Sequence, residues 1–425
     1  MKMSNKTGQL KFIDLFAGGG GLSEGFIRAG FIPVAHVEMC EAACFTLKTR
    51  MSYHYLRQQK NILPYRQYIS GQISREKFYA QIPTDLLDSV IQQEINDKTI
   101  DGLFNIIDKI NNEPIDLIIG GPPCQAYSLV GRARDPNNME DDKRNYLFKY
   151  YAKFLQKYKP KFFVFENVTG LLSAKDKNGQ KYFDIMQKDF ESCGYKIEYQ
   201  ILSANEFGVP QHRKRVILVG KKTNNDFLFP LPEKNTQTTP INEIFSDLPK
   251  LKAGEGNVFT CQLGKSHTKW LDDSSIRQNN LPVTFHVARA NSSQDLEIYK
   301  LAVDLWDKKR QRLNYNDLPK ELQTHKNKKS FLDRFKVVAG NETASQTVVA
   351  HIAKDGHYYI HPDIEQNRSI TPREAARLQT FPDDYYFESA SGKPSRTEAY
   401  KQIGNAVPVL LAEKIATKLK EVWNE

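Results

Sequence analysis

Cys124 stands behind a Pro-Pro pair in Gly120-Gly121-Pro122-Pro123-Cys124-Gln125-Ala126-Tyr127-Ser128, just after the largely apolar run Ile115 to Ile119. Such a run reads as a buried strand, and two prolines make the turn after it stiff. The thiol is then held at the rim of a site instead of being lost in a core. The chemistry such a group offers is nucleophilic attack by thiolate, so the site must favour the anion, because a free thiol has a pKa of ~8.5. The bland alternative is a small buried hydrophobe, the commonest fate of a free cysteine.

Other residues could complete that chemistry. Glu166 follows the strand candidate Phe162 to Phe165, and a carboxyl group in an enclosed pocket rises in pKa until it can donate a proton. Its bland alternative is a surface acid. Arg213 and Arg215, in Gln211-His212-Arg213-Lys214-Arg215, alternate as on a strand and so face one side. They can stabilise developing negative charge, or form a basic patch for phosphates. Phe16-Ala17-Gly18-Gly19-Gly20-Gly21 places glycines between a strand and a helix beginning near Leu22, where backbone N–H groups can approach a ligand. A glycine run alone fits NAD, a nucleotide or a plain flexible turn. Glu38, at the end of the next strand candidate, suits a ribose diol.

Positioning these residues requires a sheet. Strand candidates are Leu10–Phe16, Phe31–Val37, Ile115–Ile119, Phe162–Phe165, Tyr195–Leu202 and Arg215–Val219, alternating with helical stretches, which is an α/β signature. Ligands of a doubly wound sheet sit at the carboxyl ends of its strands. Residues 51–114 form a polar, helix-prone insertion without an assignable role. After Lys222 the composition turns to Asn, Thr, Lys and Pro, which signals a new domain. Regular patterning returns at residue 368, where Thr371-Pro372-Arg373-Glu374 marks a helix start, and the last segment ends in an amphipathic helix.

The 425 residues carry 60 Lys and Arg against 50 Asp and Glu, a surplus that favours a polyanionic partner such as nucleic acid. The five cysteines (Cys40, Cys44, Cys124, Cys193, Cys261) form no even framework. With no signal-like h-region and no 18-residue apolar run, a cytoplasmic, reduced setting away from membranes is expected, in which Cys124 stays a thiol. His351, His357 and His361 have no accompanying cysteine, so no metal site is expected.

In chain order, Asp14-Leu15-Phe16-Ala17-Gly18-Gly19-Gly20-Gly21-Leu22-Ser23, Gly121–Gln125, Glu166-Asn167-Val168, Gln211–Arg215 and Gly404-Asn405-Ala406-Val407-Pro408 resemble the DNA (cytosine-5) methyltransferase family of bacterial restriction-modification type. The resemblance covers nearly the whole chain apart from residues 223–367. It implies a Rossmann-like α/β sheet that binds S-adenosylmethionine through Asp14, Phe16, Gly18, Gly20, Gly21, Glu38, Glu94, Pro122, Leu147, Asn405 and Val407. Glu38 would hold the ribose, Phe16 would pack on the cofactor, and Leu147, in Arg144-Asn145-Tyr146-Leu147-Phe148, would touch the adenine. Two departures are visible. Glu94-Ile95 stands where the family usually has Asp-Ile, and Tyr127 where it more often has phenylalanine.

The same resemblance implies that Cys124 adds to C6 of a flipped-out cytosine in duplex DNA, making C5 nucleophilic toward methyl. Glu166 would donate to N3, Asn167 would orient its loop, and one or both of Arg213 and Arg215 would reach O2 and the thiolate. Because Gly404–Pro408 returns to close the cofactor pocket, residues 1–222 and 368–425 read as one catalytic domain. Residues 223–367 then form a smaller inserted target-recognition domain, in which Thr347-Val348 resembles a pair near the flipped nucleotide's phosphates. A monomer is expected, with a cognate restriction endonuclease acting separately. Two rivals remain open: the same chemistry on RNA, and a non-catalytic DNA-binding regulator.

Overall fold

A computed structural model describes residues 9–123, 143–235, 239–259, 263–264, 267–277, 281–325 and 328–424. Cys124, Gln125 and Tyr127 lie outside these residues.

The centre is a seven-stranded sheet of β1 (Lys11–Leu15), β2 (Ile32–Glu38), β3 (Val90–Gln92), β4 (Leu117–Gly120), β5 (Phe162–Asn167), β6 (Lys196–Ser203) and β7 (Lys214–Lys221), in the order β3-β2-β1-β4-β5-β7-β6. β1 to β5 pair in parallel, whereas β7 runs antiparallel to both β5 and β6. Six of these strands stand where the apolar runs place them. β3 is the addition, because three residues are too few to show a period. The order reverses between β1 and β4, which opens a crevice at the carboxyl ends there.

One sheet face carries helix α1 (Gly21–Arg28) and the C-terminal helix Val409–Glu421, whose Leu411, Ala412, Ile415, Ala416 and Leu419 are buried as its amphipathic pattern requires. The two helices approach closely because Gly25 has no side chain: a Cβ there would lie 2.4 Å from Ala412 Cβ. The other face packs helices Ile100–Ile110, Leu147–Tyr158 and Tyr182–Ser192 around Ile118, Phe163 and Phe165.

A third apolar cluster joins stretches far apart in sequence. Tyr53, Tyr65, Tyr68 and Phe78 of the 51–114 stretch meet Ile241, Ile244, Trp270, Leu271 and Phe285, and also Ile370, Leu378, Phe381 and Tyr385. Residues 223–367 therefore share this core with the C-terminal segment, and they hold a smaller one of their own around the helix Ser293–Lys309.

The helix Pro372–Leu378 begins as its sequence dictates. Thr371 Oγ1 accepts from the Glu374 amide and Glu374 Oε2 from the Thr371 amide, with proline at the first turn. Three arginines without solvent exposure stitch this region to the rest: Arg368 reaches Glu374 through two 2.7 Å contacts, Arg373 donates to the Thr284, Pro382 and Tyr385 carbonyls, and Arg377 pairs with Asp247 and Asp383. A desolvated guanidinium is tolerated only when its donors are matched in this way.

Breaking such a node strands the partners. Arg377→Ala would leave the Asp247 and Asp383 carboxylates without their shared cation, and is expected to destabilise the fold by about 3–5 kcal/mol. Urea unfolding should show a lower midpoint at unchanged slope. A midpoint equal to that of the parent would refute the role of this node.

Candidate active site at the carboxyl ends of the strands

β1 delivers Asp14 and then breaks sharply. Phe16 has φ of 58°, a conformation uncommon outside glycine, and Gly18 and Gly20 follow with φ of 54° and 80°. The strained turn carries the chain into α1, whose first-turn N–H groups lack intrahelical acceptors. Glu38, at the end of β2, fixes this loop: Oε2 accepts from the Gly18 amide and Oε1 from the Cys40 amide, both at 2.8 Å.

β4 ends in Gly120, where a Cβ would meet the Leu15 carbonyl oxygen at 2.4 Å. At Gly121 a Cβ would lie 2.6 Å from Glu166 Oε2 and 3.3 Å from the Glu166 carbonyl oxygen. Asn167 Nδ2 donates to the Pro122 carbonyl at 3.2 Å while its Oδ1 accepts from the Val168 amide. The turn leading into Cys124 is thereby tied to the end of β5.

Glu166 and Arg215 form an ion pair, Oε1 to Nε 2.6 Å, with both side chains largely enclosed. The geometry follows from strand direction. β7 runs against β5, so its first residues lie beside the last residues of β5. Arg213 is set differently. It is fully buried, with Nη1 donating to the Val348 carbonyl at 2.7 Å and Nη2 to the Gly404 carbonyl at 3.3 Å. The two arginines expected side by side thus do different things. Arg215 reaches the cavity wall, whereas Arg213 joins the start of β7 to segment 345–350 and to the C-terminal return.

These parts enclose a cavity of about 470 Å³. Of the residues singled out from sequence, Asp14, Phe16, Gly18, Gly21, Glu38, Glu94, Pro122, Leu147, Glu166, Arg215, Asn405 and Val407 line it. Gly20, Asn167 and Arg213 support it from behind. Ile95 lines it beside Glu94, so the departure at this pair still reaches the cavity. Thr347 Oγ1 donates to the His212 carbonyl next to Arg213.

Glu398, Lys401, Gln402, Met39 and Cys40 also line the cavity but escaped sequence reading. A signal for the first three was present. Glu398, Lys401, Gln402 and Asn405 are spaced i, i+3, i+4, i+7 on the helix Arg396–Asn405 and so share one face. Met39 and Cys40 simply continue the chain beyond Glu38.

Asp14 gives the cavity its chemical bias. Only 1% exposed, it has no hydrogen-bond partner for either carboxylate oxygen, and burial, then the Glu38 charge, push its carboxyl well above the ordinary range. A carboxyl left this way beside a cavity fits a cationic ligand group, and S-adenosylmethionine carries an ammonium and a sulfonium. Among the described residues no group of His, Cys, Asp and Glu could hold a metal ion. His357 instead bonds Tyr299 and His361 lies near Glu374.

The model of the C-5 cytosine-specific DNA methylase family matches residues 10–63 and 71–421. A type II methyltransferase of Bacillus paralicheniformis is 41% identical over 97% of this chain and 99% of its own length. A type II methyltransferase of Haemophilus parahaemolyticus is 31% identical over 96% and 86%. In fold, the chain resembles an Escherichia coli prophage-encoded structure described as a putative DNA modification methyltransferase, with a TM-score of 0.62, 22% identity and coverage of 98% and 100%. An Entamoeba histolytica methyltransferase gives a TM-score of 0.51 at 14% identity, with coverage of 98% and 99%. With the sheet, the glycine turn and the cavity in place, these matches show that the chain belongs to the C-5 cytosine-specific DNA methylase family and transfers methyl from S-adenosylmethionine to C5 of cytosine in DNA.

Proposed function

We propose that the chain methylates cytosine within one defined duplex DNA sequence, with Cys124 as nucleophile and the Glu166–Arg215 pair as its charge-handling partner. The observation that carries this reading is the convergence of that ion pair and the Asn167-tied Pro122 turn on one cavity. A thiolate cannot reach C6 inside the stack, so the base is flipped out. The Cys124 sulfur then bonds C6, pushing the C5–C6 π electrons toward C5 and negative charge toward N3 and O2. Glu166 serves as the proton donor at N3 and Arg215 as the cation facing O2. Arg213, held by two backbone carbonyls, keeps the frame in place. Once C5 carries the methyl, loss of the C5 proton to a base re-forms the C5–C6 double bond, the C6–S bond breaks to release the Cys124 thiolate, and N3 returns its proton to Glu166.

S-adenosylmethionine supplies the electrophilic methyl when bound. The glycine turn admits its methionine part, Glu38 its ribose, and Asp14 a cationic group. Residues 223–367 serve as the recognition part, and 1–222 with 368–425 as the catalytic part. A basic run supports a DNA-facing role: residues 308–336 hold ten Lys and Arg against three Asp and Glu, and Lys308, Lys309, Arg310 and Arg312 are exposed. The monomer acts in the cytoplasm beside a separate endonuclease of the same specificity. Among the described residues no helix is long and apolar enough to cross a membrane.

Duplex DNA with fluorine at C5 of the target cytosine tests the nucleophile. Elimination then lacks its proton, so an adduct that needs S-adenosylmethionine should survive denaturing electrophoresis and map to the peptide of Cys124. Mapping to Cys40, Cys44, Cys193 or Cys261 would overturn the assignment.

Asp14 should tie cofactor affinity to pH. Burial favours its neutral form in the free protein and a bound cation favours the charged form, so binding releases a proton and tightens as pH rises. Calorimetric titration with S-adenosylmethionine, without DNA, should show this slope in the parent and a flatter one in Asp14→Asn. Equal slopes would refute it.

Replacing Lys308, Lys309, Arg310 and Arg312 together by Gln should weaken DNA binding. The log–log salt slope should become shallower by about 0.9 for each phosphate no longer neutralised. An unchanged slope would place the DNA elsewhere.

A further inference from the structure

The cofactor turn is gripped from outside by residues that line no part of the cavity. Tyr385, 1% exposed, donates its hydroxyl to the Gly19 carbonyl at 2.8 Å. The fit is close, since a Cβ on Gly20 would lie 2.6 Å from that hydroxyl. The Tyr385 backbone is held in turn, its carbonyl by Arg373 at 2.7 Å. Next to it, Asp384 accepts Arg50 Nη1 at 2.9 Å on one oxygen and the Tyr53 hydroxyl on the other, while the Asp384 carbonyl accepts the Tyr65 hydroxyl. Arg50 also donates through Nε and Nη2 to Glu24, in the first turn of α1, at 2.8 and 2.5 Å. The glycine turn, at the Gly19 carbonyl, and the first turn of α1 that follows it, at Glu24, are thus both anchored to the dipeptide Asp384-Tyr385.

We infer that Tyr385 is a positioning residue for cofactor binding, its hydroxyl setting the Gly19–Gly20 peptide, and that Arg50, Tyr53 and Tyr65 hold it in register. The inference rests on the cavity being the cofactor pocket. Its physical basis is that a buried carbonyl deprived of its donor reorients to find another. A turn containing Gly18 and Gly20 at positive φ has the freedom to do so, and the amides that should meet the cofactor would move with it. Through the same network the otherwise unexplained stretch after residue 51 acquires a role, because its tyrosines set the angle of the cofactor turn.

The test compares S-adenosylhomocysteine binding by calorimetry, steady-state kinetics and melting temperature. Tyr385→Phe keeps the ring and removes only the donor. It should weaken binding about tenfold, ~1.4 kcal/mol, and raise KM for S-adenosylmethionine alike while kcat stays within about twofold. Tyr195→Phe is the control, because that hydroxyl also donates to a buried carbonyl, Pro160 at 2.8 Å, away from the turn. It should lower the melting temperature and leave binding unchanged. Should Tyr385→Phe fail to fold, Tyr53→Phe, one contact back, should show the same shift to a lesser degree. Tyr385→Phe binding within twofold of the parent, or equal weakening by Tyr195→Phe, would overturn the inference. A parent that binds no S-adenosylhomocysteine would instead fail the pocket reading itself, taking the inference with it.

Discussion

Close contacts at glycines join the turn after β1 to the returning C-terminal segment, and that segment to residue 350. A Cβ on Gly21 would lie 2.3 Å from the Val407 carbonyl oxygen, one on Gly19 3.1 Å from Gln402 Cβ, and one on Gly404 2.2 Å from the Ala350 amide nitrogen. The first glycines belong to the turn after β1, the last to the returning C-terminal segment. Because backbone rests on backbone at Gly21 and Gly404, the cavity wall has little freedom to adjust there, and the glycine turn cannot be considered apart from the segment that covers it. Conformation of the turn, closure of the pocket and docking of residues 345–350 are aspects of one packed contact.

Around that contact, burial is achieved with charge as much as with apolar surface. Arg368, Arg373 and Arg377 are fully buried, and each spends its donors on a carboxylate or on several carbonyls. Such pairs add little net stability over a hydrophobic replacement, but they penalise any arrangement in which the partners fail to meet. For a region assembled from stretches near 50, 245, 285 and 375, which could pack in several ways, that penalty favours a single arrangement.

The sheet and much of the cavity were legible in the sequence because they rest on local signals. Apolar runs marked six strands, and glycines or prolines just beyond strand ends marked the turns that expose Phe16 and Pro122. Thr371 to Glu374 announced its helix by capping chemistry alone. What was hidden depends on partners remote in sequence. β3 is a strand only because His36 to Glu38 offer it an edge. Arg213 shares its two-residue spacing with Arg215, yet its guanidinium is claimed by carbonyls at 348 and 404, which no local pattern encodes. Tyr385 reads as an ordinary core aromatic until Gly19 is seen beneath its hydroxyl. The apolar pattern likewise marked a change of character at 223 without showing that Ile241, Ile244 and Phe285 enter a core shared with the C-terminal segment.

The direction of one strand has a consequence for how this chemistry could be rearranged. β7 enters the sheet from the end at which β5 leaves it, and so Arg215 begins its strand beside the Glu166 that closes the other. Were β7 parallel to β5 at the same site, Arg215 would move from the second of its eight positions to the seventh, five residues at ~3.3 Å each or roughly 17 Å toward the opposite rim. The ion pair is therefore a product of topology before it is one of side chains. A redesign that shuffled strand order while keeping every motif intact would retain the letters of the site and lose its geometry.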